Sequence, residues 1–315
     1  MKKIVKIFSA LGTLNTITIY FENEDNKKAN IIINKIEKYI DELDDKLSIF
    51  KDTSEISLIN RHAGINFKKV SKDTYELLKL AKEYGKITNG AFDITTKPLT
   101  DLWRKNKQKN ITPKFNEVSQ ILKNINYKDI ILNKKEQSIM LKNKGQEIDV
   151  GGIAKGYIID KVKTKLKNNN FNNAIINLGG TVSSIGENRN IGIRNPFVSI
   201  NDNGQNNFFA IIKSKDENIV TSGSYEQFYE RDGRIYHHII NPNTGYPTKT
   251  GLVSVTLIGN NGTELDALAT GCFILGLEKS FKLIRKRKLN AIFVLNDGKI
   301  YMTDELKNRV KIINK

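Results

Sequence analysis

The order in which strand-like and helix-like segments follow one another constrains this chain more than any single motif. Residues 4–21 read as strand. Residues 25–48 then place Ile31, Ile33, Ile36, Ile40, Leu43 and Leu47 at spacings of two to four, the stripe of an amphipathic helix with a lysine- and glutamate-rich outer face. A second helix is expected over 72–87, with Leu77, Leu78, Leu80, Ala81 and Tyr84 as its apolar side, and the Lys/Asn-rich stretch 104–117 reads as a loop. Short strands at 129–132 and 138–142, a helix over 153–166 and a buried strand at 174–178 come next. A polar loop over 199–207 separates two further strand regions. Helices over 264–276 and 279–287 precede a hairpin, 291–295 with 299–302, turning at Asn296-Asp297-Gly298. This alternation is irregular and lacks the steady βαβ rhythm of a doubly wound sheet. With no internal repeat and no linker, it predicts one α+β domain over 1–315, its sheets mixed or antiparallel, with flanking helices forming two lobes about a cleft.

A chain of 315 residues with 39% hydrophobic and 27% charged residues has the makings of a folded, water-soluble protein. The net charge of +17 raises the question of nucleic acid. The lysines, however, are spread along the whole chain among abundant Asn and Ile, and no run of five basic residues occurs. Nucleic acid is set aside, while anionic small substrates or an acidic partner remain compatible with the charge. The single cysteine, Cys272, excludes an internal disulfide and a cysteine-based zinc site, and its apolar surroundings suit a buried, inert thiol. The apolar run after Lys2 and Lys3 is broken by Lys6 and reaches Gly12, Thr13 and Asn15 with neither a small-residue cleavage site nor a cysteine for lipid attachment. No stretch approaches the ~20 apolar residues of a membrane span. The expectation is a cytoplasmic protein without a membrane span.

Three glycine-rich segments look built for close approach of backbone to a ligand. The first, Asp149-Val150-Gly151-Gly152-Ile153-Ala154-Lys155-Gly156, opens onto a helix whose free N–H groups attract anions, with Lys155 adding positive charge. It is neither a P-loop nor a dinucleotide fingerprint. The second, Asn177-Leu178-Gly179-Gly180-Thr181, ends a strand, and the third is Thr221-Ser222-Gly223-Ser224. Each alone marks an ordinary turn. Together with a histidine pair they suggest a phosphate-bearing ligand.

That pair is His237-His238, preceded by strand-like residues and followed by Ile239-Ile240 and the turn Asn241-Pro242-Asn243-Thr244-Gly245-Tyr246-Pro247. Alternation along a strand points one imidazole inward and the other outward, so one can be held at a cleft rim as a general base. A surface histidine pair beside a hairpin is the alternative. Asp266 and Thr270, four residues apart on one helix face, offer a carboxylate and a hydroxyl that suit a hard cation such as Mg²⁺. The alternative here is a helix N-terminal acid and a threonine bonded back to its own helix.

The chain resembles the ApbE family, the FAD:protein FMN transferases, over nearly its whole length. The resemblance runs through Gly12-Thr13, Leu47-Ser48, Ser54-Glu55-Ile56-Ser57-Leu58-Ile59-Asn60 and Gly90-Ala91-Phe92-Asp93-Ile94-Thr95, then Pro98-Leu99 and Trp103. It continues through Asp149 to Tyr157 with Asp160, Asn177 to Gly180, Gly192-Ile193-Arg194-Asn195-Pro196, the Thr221-Ser222-Gly223 segment, the histidine turn and the Asp266/Thr270 pair. The resemblance implies that FAD is bound as substrate, with Mg²⁺ on its pyrophosphate held by the side chains of Asp266 and Thr270 and the backbone carbonyl of Ala154. It implies His238 as the base, with His237 a bystander or supporting residue. Asn60, Asp93, Lys155 and Asp160 match positions on the flavin or phosphate side. Gly151, Gly152, Gly179, Gly180, Thr221, Ser222 and Gly223 complete the expected FAD site. Departures from the family pattern are Thr181 where Asp is frequent, Lys97 where Gly is frequent, and Asn241 where Asp is usual.

The reaction so implied moves FMN from FAD to a threonine hydroxyl of an acceptor protein and releases AMP. A respiratory-complex subunit or a flavinylated reductase is the kind of acceptor implied. Water in place of threonine would make the same site an FAD pyrophosphatase, and a flavin-binding protein without chemistry is the third alternative.

Overall fold

The computed structural model describes residues 1–22, 25–198, 207–225, 228–231 and 234–313. Its backbone is an eight-stranded sheet in the order Lys2–Ala10, Thr13–Phe21, Ala174–Leu178, Thr181–Ile185, Asn218–Gly223, Leu252–Gly259, Asn290–Leu295, Ile300–Met302. Every neighbouring pair in it is antiparallel. The chain therefore folds as the α+β class read from the sequence. The strand expected over 4–21 is in fact two strands. Leu11 and Gly12, at φ 57° and 68°, make the tight left-handed turn between them. Asn15, Ile17, Ile19 and Phe21 alternate inward along the second strand.

One face of the sheet carries the helices. Asn26–Leu47 buries Ile32, Ile33, Ile36, Ile40, Leu43 and Leu47, whereas Ile31 lies off the 3.6-residue stripe and is 47% exposed. Gly262–Leu275 is apolar around most of its circumference and almost wholly buried, as expected of a helix enclosed by sheet and helices. On the sheet's other face a three-stranded antiparallel sheet, Arg189–Arg194, Phe208–Ser214 and Val310–Ile312, joins a second core with Ile219, Ile258 and Ile292. A short sheet of Lys68–Lys69, Ser138–Leu141 and Ile130–Asn133 and a hairpin of Phe228–Arg231 with Arg234–His237 complete the strands described.

The stretch 104–117 is not a loop throughout. The helix Lys97–Gln108 runs into it and Phe115–Leu122 runs out of it. Composition hid the first of these: Lys and Asn keep most of it wet while Leu99, Trp103 and Asn106 alone are buried. Leu99 and Trp103 form a third small core with Val118 and Ile240, on which the histidine turn rests. The loop expected at 199–207 lies, apart from Asn207, outside the described residues. No helix among the described residues is long and apolar enough to cross a membrane.

Candidate functional site

Two helices cross where the site is built. Gly156, inside the helix Gly151–Asn168, meets Gly262 at the start of the helix Gly262–Leu275. A methyl on Gly156 would lie 2.1 Å from the Gly262 carbonyl oxygen, and one on Gly262 would lie 2.7 Å from Ile159. Only glycine on both sides lets the backbones approach this closely. The approach is held by two carboxylates. Asp160 accepts from the N–H groups of Gly262 and Thr263, both at 2.8 Å, and from the Thr263 hydroxyl at 2.7 Å, so it caps the second helix from outside its own chain segment. Asp266 accepts from the Gly156 N–H at 2.8 Å.

Asp266 differs from Asp160 in what surrounds it. It is 5% exposed and makes no ion pair among the described residues. Burial pushes its carboxyl above the usual range, with the Lys155 charge and the Gly156 N–H pulling the other way. One turn along, the Thr270 hydroxyl lies 3.2 Å from that of Ser222 on the neighbouring strand. A methyl on Gly152 would lie 3.6 Å from the same Thr270 oxygen. Asp266, Thr270, Ser222 and the glycine-opened helix start with Ala154 and Lys155 thus form one group. At that helix start Asp149 takes the Gly151 N–H at 2.9 Å, and the N–H of Gly152 is left without a described partner. Val150, in the cap position, has no side-chain oxygen to offer. An N-terminus left open beside Lys155 is a place for an anion.

The other residues expected at the site are placed differently. Asn60 pairs its amide with the backbone of Ile148 in both directions, at 3.0 and 2.8 Å, and so anchors the segment leading into Gly151. Asp93, 8% exposed, accepts from Thr95 and from the Tyr127 N–H, and burial pushes its carboxyl up despite these bonds. The polar atoms of Asn60, Asp93 and Asp160 are engaged within the protein, in positions that hold the site's walls. Gly179 and Gly180, both with positive φ, make the turn between adjacent strands, and the Gly180 N–H is taken by Asn177 at 2.9 Å. Thr221 faces away from Thr270, pairing with Thr256 across the strands at 2.8 Å, while Ser222 faces toward it. Gly223 passes under the ring of Tyr225, where a methyl would lie 2.3 Å from it.

The histidine pair stands at the end of the strand Arg234–His237. His237 turns inward, with Nδ1 accepting from the Ile239 N–H at 3.3 Å and Nε2 therefore donating to the Thr248 carbonyl at 3.0 Å. Its ring meets Phe273 edge-on at 5.5 Å, and Phe273 lies on the same helix as Thr270 and Asp266. Burial pushes the imidazole down to about 4, so it is neutral in the folded protein near pH 7. His237 and His238 both line a cleft open to solvent, with Trp103, Tyr229, Tyr236 and the cations Arg104 and Lys107. Tyr236 is stacked between Trp103 at 5.4 Å and Tyr229 at 5.2 Å, and the Trp103 indole donates to the Gly245 carbonyl at 2.8 Å. This stack ties the helix Lys97–Gln108 to the histidine hairpin and its turn. Sequence reasoning missed it, although the tyrosines at 229 and 236 framing a hairpin were its visible signal. The departure at 241 is explained by geometry: the Asn241 side-chain carbonyl accepts from the Asn243 N–H at 2.9 Å, a bond an aspartate would make equally well. Lys97 pairs with Asp101 at 2.6 Å and with Glu147, a network that a glycine there could not form.

Fold and site together define an antiparallel α+β protein in which a glycine-opened helix start, a buried carboxylate and a hydroxyl converge. The chain belongs to the ApbE family, whose pattern it matches over residues 11–293. It is 32% identical over 306 residues to the FAD:protein FMN transferase of Klebsiella pneumoniae, covering 96% of this chain and 93% of that protein. It is 28% identical to the FAD:protein FMN transferase of Treponema pallidum, covering 96% and 88%. Among solved structures, the ApbE protein of Thermotoga maritima superposes with a TM-score of 0.87 at 29% identity, covering 98% of this chain and 99% of that one. The flavin transferase ApbE of Vibrio cholerae superposes with a TM-score of 0.84 at 26% identity, covering 98% and 99%.

Proposed function

We propose that this chain is an FAD:protein FMN transferase, working as one ApbE-type domain that moves FMN from FAD to a threonine hydroxyl of an acceptor protein and releases AMP. The observation that carries the reading is the Asp266 carboxylate: buried, without an ion pair among the described residues, and one helical turn from a hydroxyl beside an open helix N-terminus. A carboxylate so placed is costly unless a cation joins it. One carboxylate, one hydroxyl and a backbone carbonyl from Ala154 fit Mg²⁺, which takes few protein oxygens and completes its shell with phosphate and water. They do not fit a metal that needs several histidines or cysteines, and no cluster of three His, Cys, Asp or Glu residues able to hold a metal occurs among the described residues. When bound, Mg²⁺ would draw charge from the pyrophosphate oxygens.

The chain's own groups supply the rest. The Gly152 N–H and Lys155 attract phosphate oxygens at the helix start. Asn60, Asp93 and Asp160 hold that start and the second helix in register. His238 accepts the proton of the acceptor's threonine as its oxygen bonds to the FMN phosphorus. The bond from that phosphorus to the bridging oxygen breaks, and AMP leaves with the oxygen. His237 fixes the hairpin end, and with it the position of His238. A respiratory-complex subunit or a flavinylated reductase is the acceptor we propose.

Product analysis of two variants tests the reading. Asp266→Ala should abolish AMP release from FAD in the presence of Mg²⁺, whereas His238→Ala should bind FAD normally and transfer slowly. Wild-type transfer by His238→Ala would remove the histidine from its assigned role. FMN and AMP formed equally with and without acceptor would make the protein an FAD pyrophosphatase.

A further inference from the structure

We infer that the Ser222 hydroxyl positions Thr270 as a metal ligand: it accepts the Thr270 proton and so leaves the lone pairs of that oxygen to the cation. The inference rests on the transferase reading above and adds to it a residue that acts on the metal through another side chain. A threonine inside a helix ordinarily donates its proton to the carbonyl one turn back. Three others in this protein do so, Thr88 to Tyr84 at 2.8 Å, Thr100 to Thr96 at 3.2 Å and Thr164 to Asp160 at 2.8 Å. Thr270 makes no such bond to the Asp266 carbonyl among the described residues. Its hydroxyl instead meets Ser222, on the sheet, at 3.2 Å.

The surroundings keep the rest of that oxygen open. Gly262 to Ala269 are all buried, and Thr270 is the first residue of its helix to be half-buried. A methyl on Gly152 would stand 3.6 Å from the Thr270 oxygen, so glycine there leaves that side clear. Ser222 is held on the strand Asn218–Gly223, in register with Val255 of the next strand. Alternation sends Thr221 to the opposite face, where it meets Thr256 at 2.8 Å, and leaves Ser222 facing the helix. The Ser222 side chain has no other hydrogen-bond partner among the described residues. An oxygen that gives a lone pair to a cation must send its proton elsewhere. Of the two donor assignments for this pair, only Thr270 as donor leaves both of its lone pairs for a metal. Ser222 as donor would occupy one of them.

The probe is Mn²⁺, a paramagnetic ion that shares the oxygen ligands of Mg²⁺, titrated into metal-free protein with the free ion read by its EPR signal. Ser222→Ala should raise the Mn²⁺ Kd by roughly tenfold, the scale on which losing a residue that orients a ligand weakens a metal site. Ser222→Thr keeps the hydroxyl on a side chain suited to a strand and should return the Kd to within about twofold of wild type. In a Thr270→Val background Ser222→Ala should change the Kd no further, because the oxygen it positions is gone. A wild-type Kd in Ser222→Ala would overturn the inference, as would a Ser222→Thr protein as weak as Ser222→Ala. So would the same loss repeated in the Thr270→Val background, which would make Ser222 act independently of Thr270. Failure of the wild-type protein to bind Mn²⁺ would overturn it as well. Mn²⁺ binding without AMP release from FAD would instead defeat the transferase reading and leave the pairing of Ser222 with Thr270 standing.

Discussion

Gly156→Ala puts one methyl into the helix crossing that builds the site. Alanine at an interior helical position normally gains about 1 kcal/mol over glycine. Here the added carbon would lie 2.1 Å from the Gly262 carbonyl oxygen, 2.6 Å from its carbon and 2.7 Å from the Asp266 Cβ. Two of these are backbone atoms that cannot rotate away. Restoring ordinary contact distances requires the helices to part by on the order of 1 Å. Overpacking of this kind costs about 1–3 kcal/mol or more, and stretching the 2.8 Å bond from the Gly156 N–H to Asp266 adds about 1 kcal/mol. The net expectation is a loss of about 1–3 kcal/mol after the propensity gain. A shift of that size between Asp266 and the facing helix start should also lower turnover by about 10²-fold. Urea unfolding and AMP release from FAD are the two assays. A variant as stable as the wild type and fully active would show that the helices do not meet at Gly156, and the geometry of the metal-side group would fall with it.

Asp266→Asn keeps an acceptor for the Gly156 N–H and removes a buried charge, so in metal-free protein at neutral pH it should be at least as stable as wild type by urea unfolding, yet inactive with FAD and Mg²⁺. Asp160→Ala removes three hydrogen bonds at a helix start and a fourth from the Asn218 amide, and should cost about 2–4 kcal/mol in the same assay. The Tyr229 hydroxyl is buried without a hydrogen-bond partner among the described residues, so Tyr229→Phe should be neutral or stabilising by up to about 1 kcal/mol in thermal denaturation. His237 has a folded value near 4 against 6.5 unfolded, so the unfolded chain binds the proton first as pH falls. Its contribution to stability is complete above about 6.5 and is lost by about pH 4, at most about 3 kcal/mol. The pH dependence of unfolding between those limits should be shallower in His237→Gln than in wild type, and equal slopes would refute it.

Much of this was legible in the chain. Period-two and period-3.6 patterning located the helices Asn26–Leu47 and Lys72–Ile87, the buried strand Ala174–Leu178 and the final hairpin within a few residues. The Asp266/Thr270 spacing and the paired glycines at 151–152 marked a group the fold brings together, because helix geometry and helix termini are local properties. What failed was long-range. Nothing in a window around Asn60 shows that its amide will be spent on Ile148, or around Asp160 that its carboxylate will cap a helix a hundred residues on. Gly156 and Gly262 read separately as minor irregularities, and only their contact gives them meaning. The helix Lys97–Gln108 was lost to its composition, since three buried positions carry it and lysine covers the rest.

The most direct measurement is in-gel flavin fluorescence of an acceptor domain after incubation with this protein, FAD and Mg²⁺, with AMP measured in the same reaction. The account predicts a fluorescent acceptor band that survives denaturation, AMP formed in step with it, and loss of both with chelator or with Asp266→Ala. Intact FAD and an unlabelled acceptor under those conditions would contradict it.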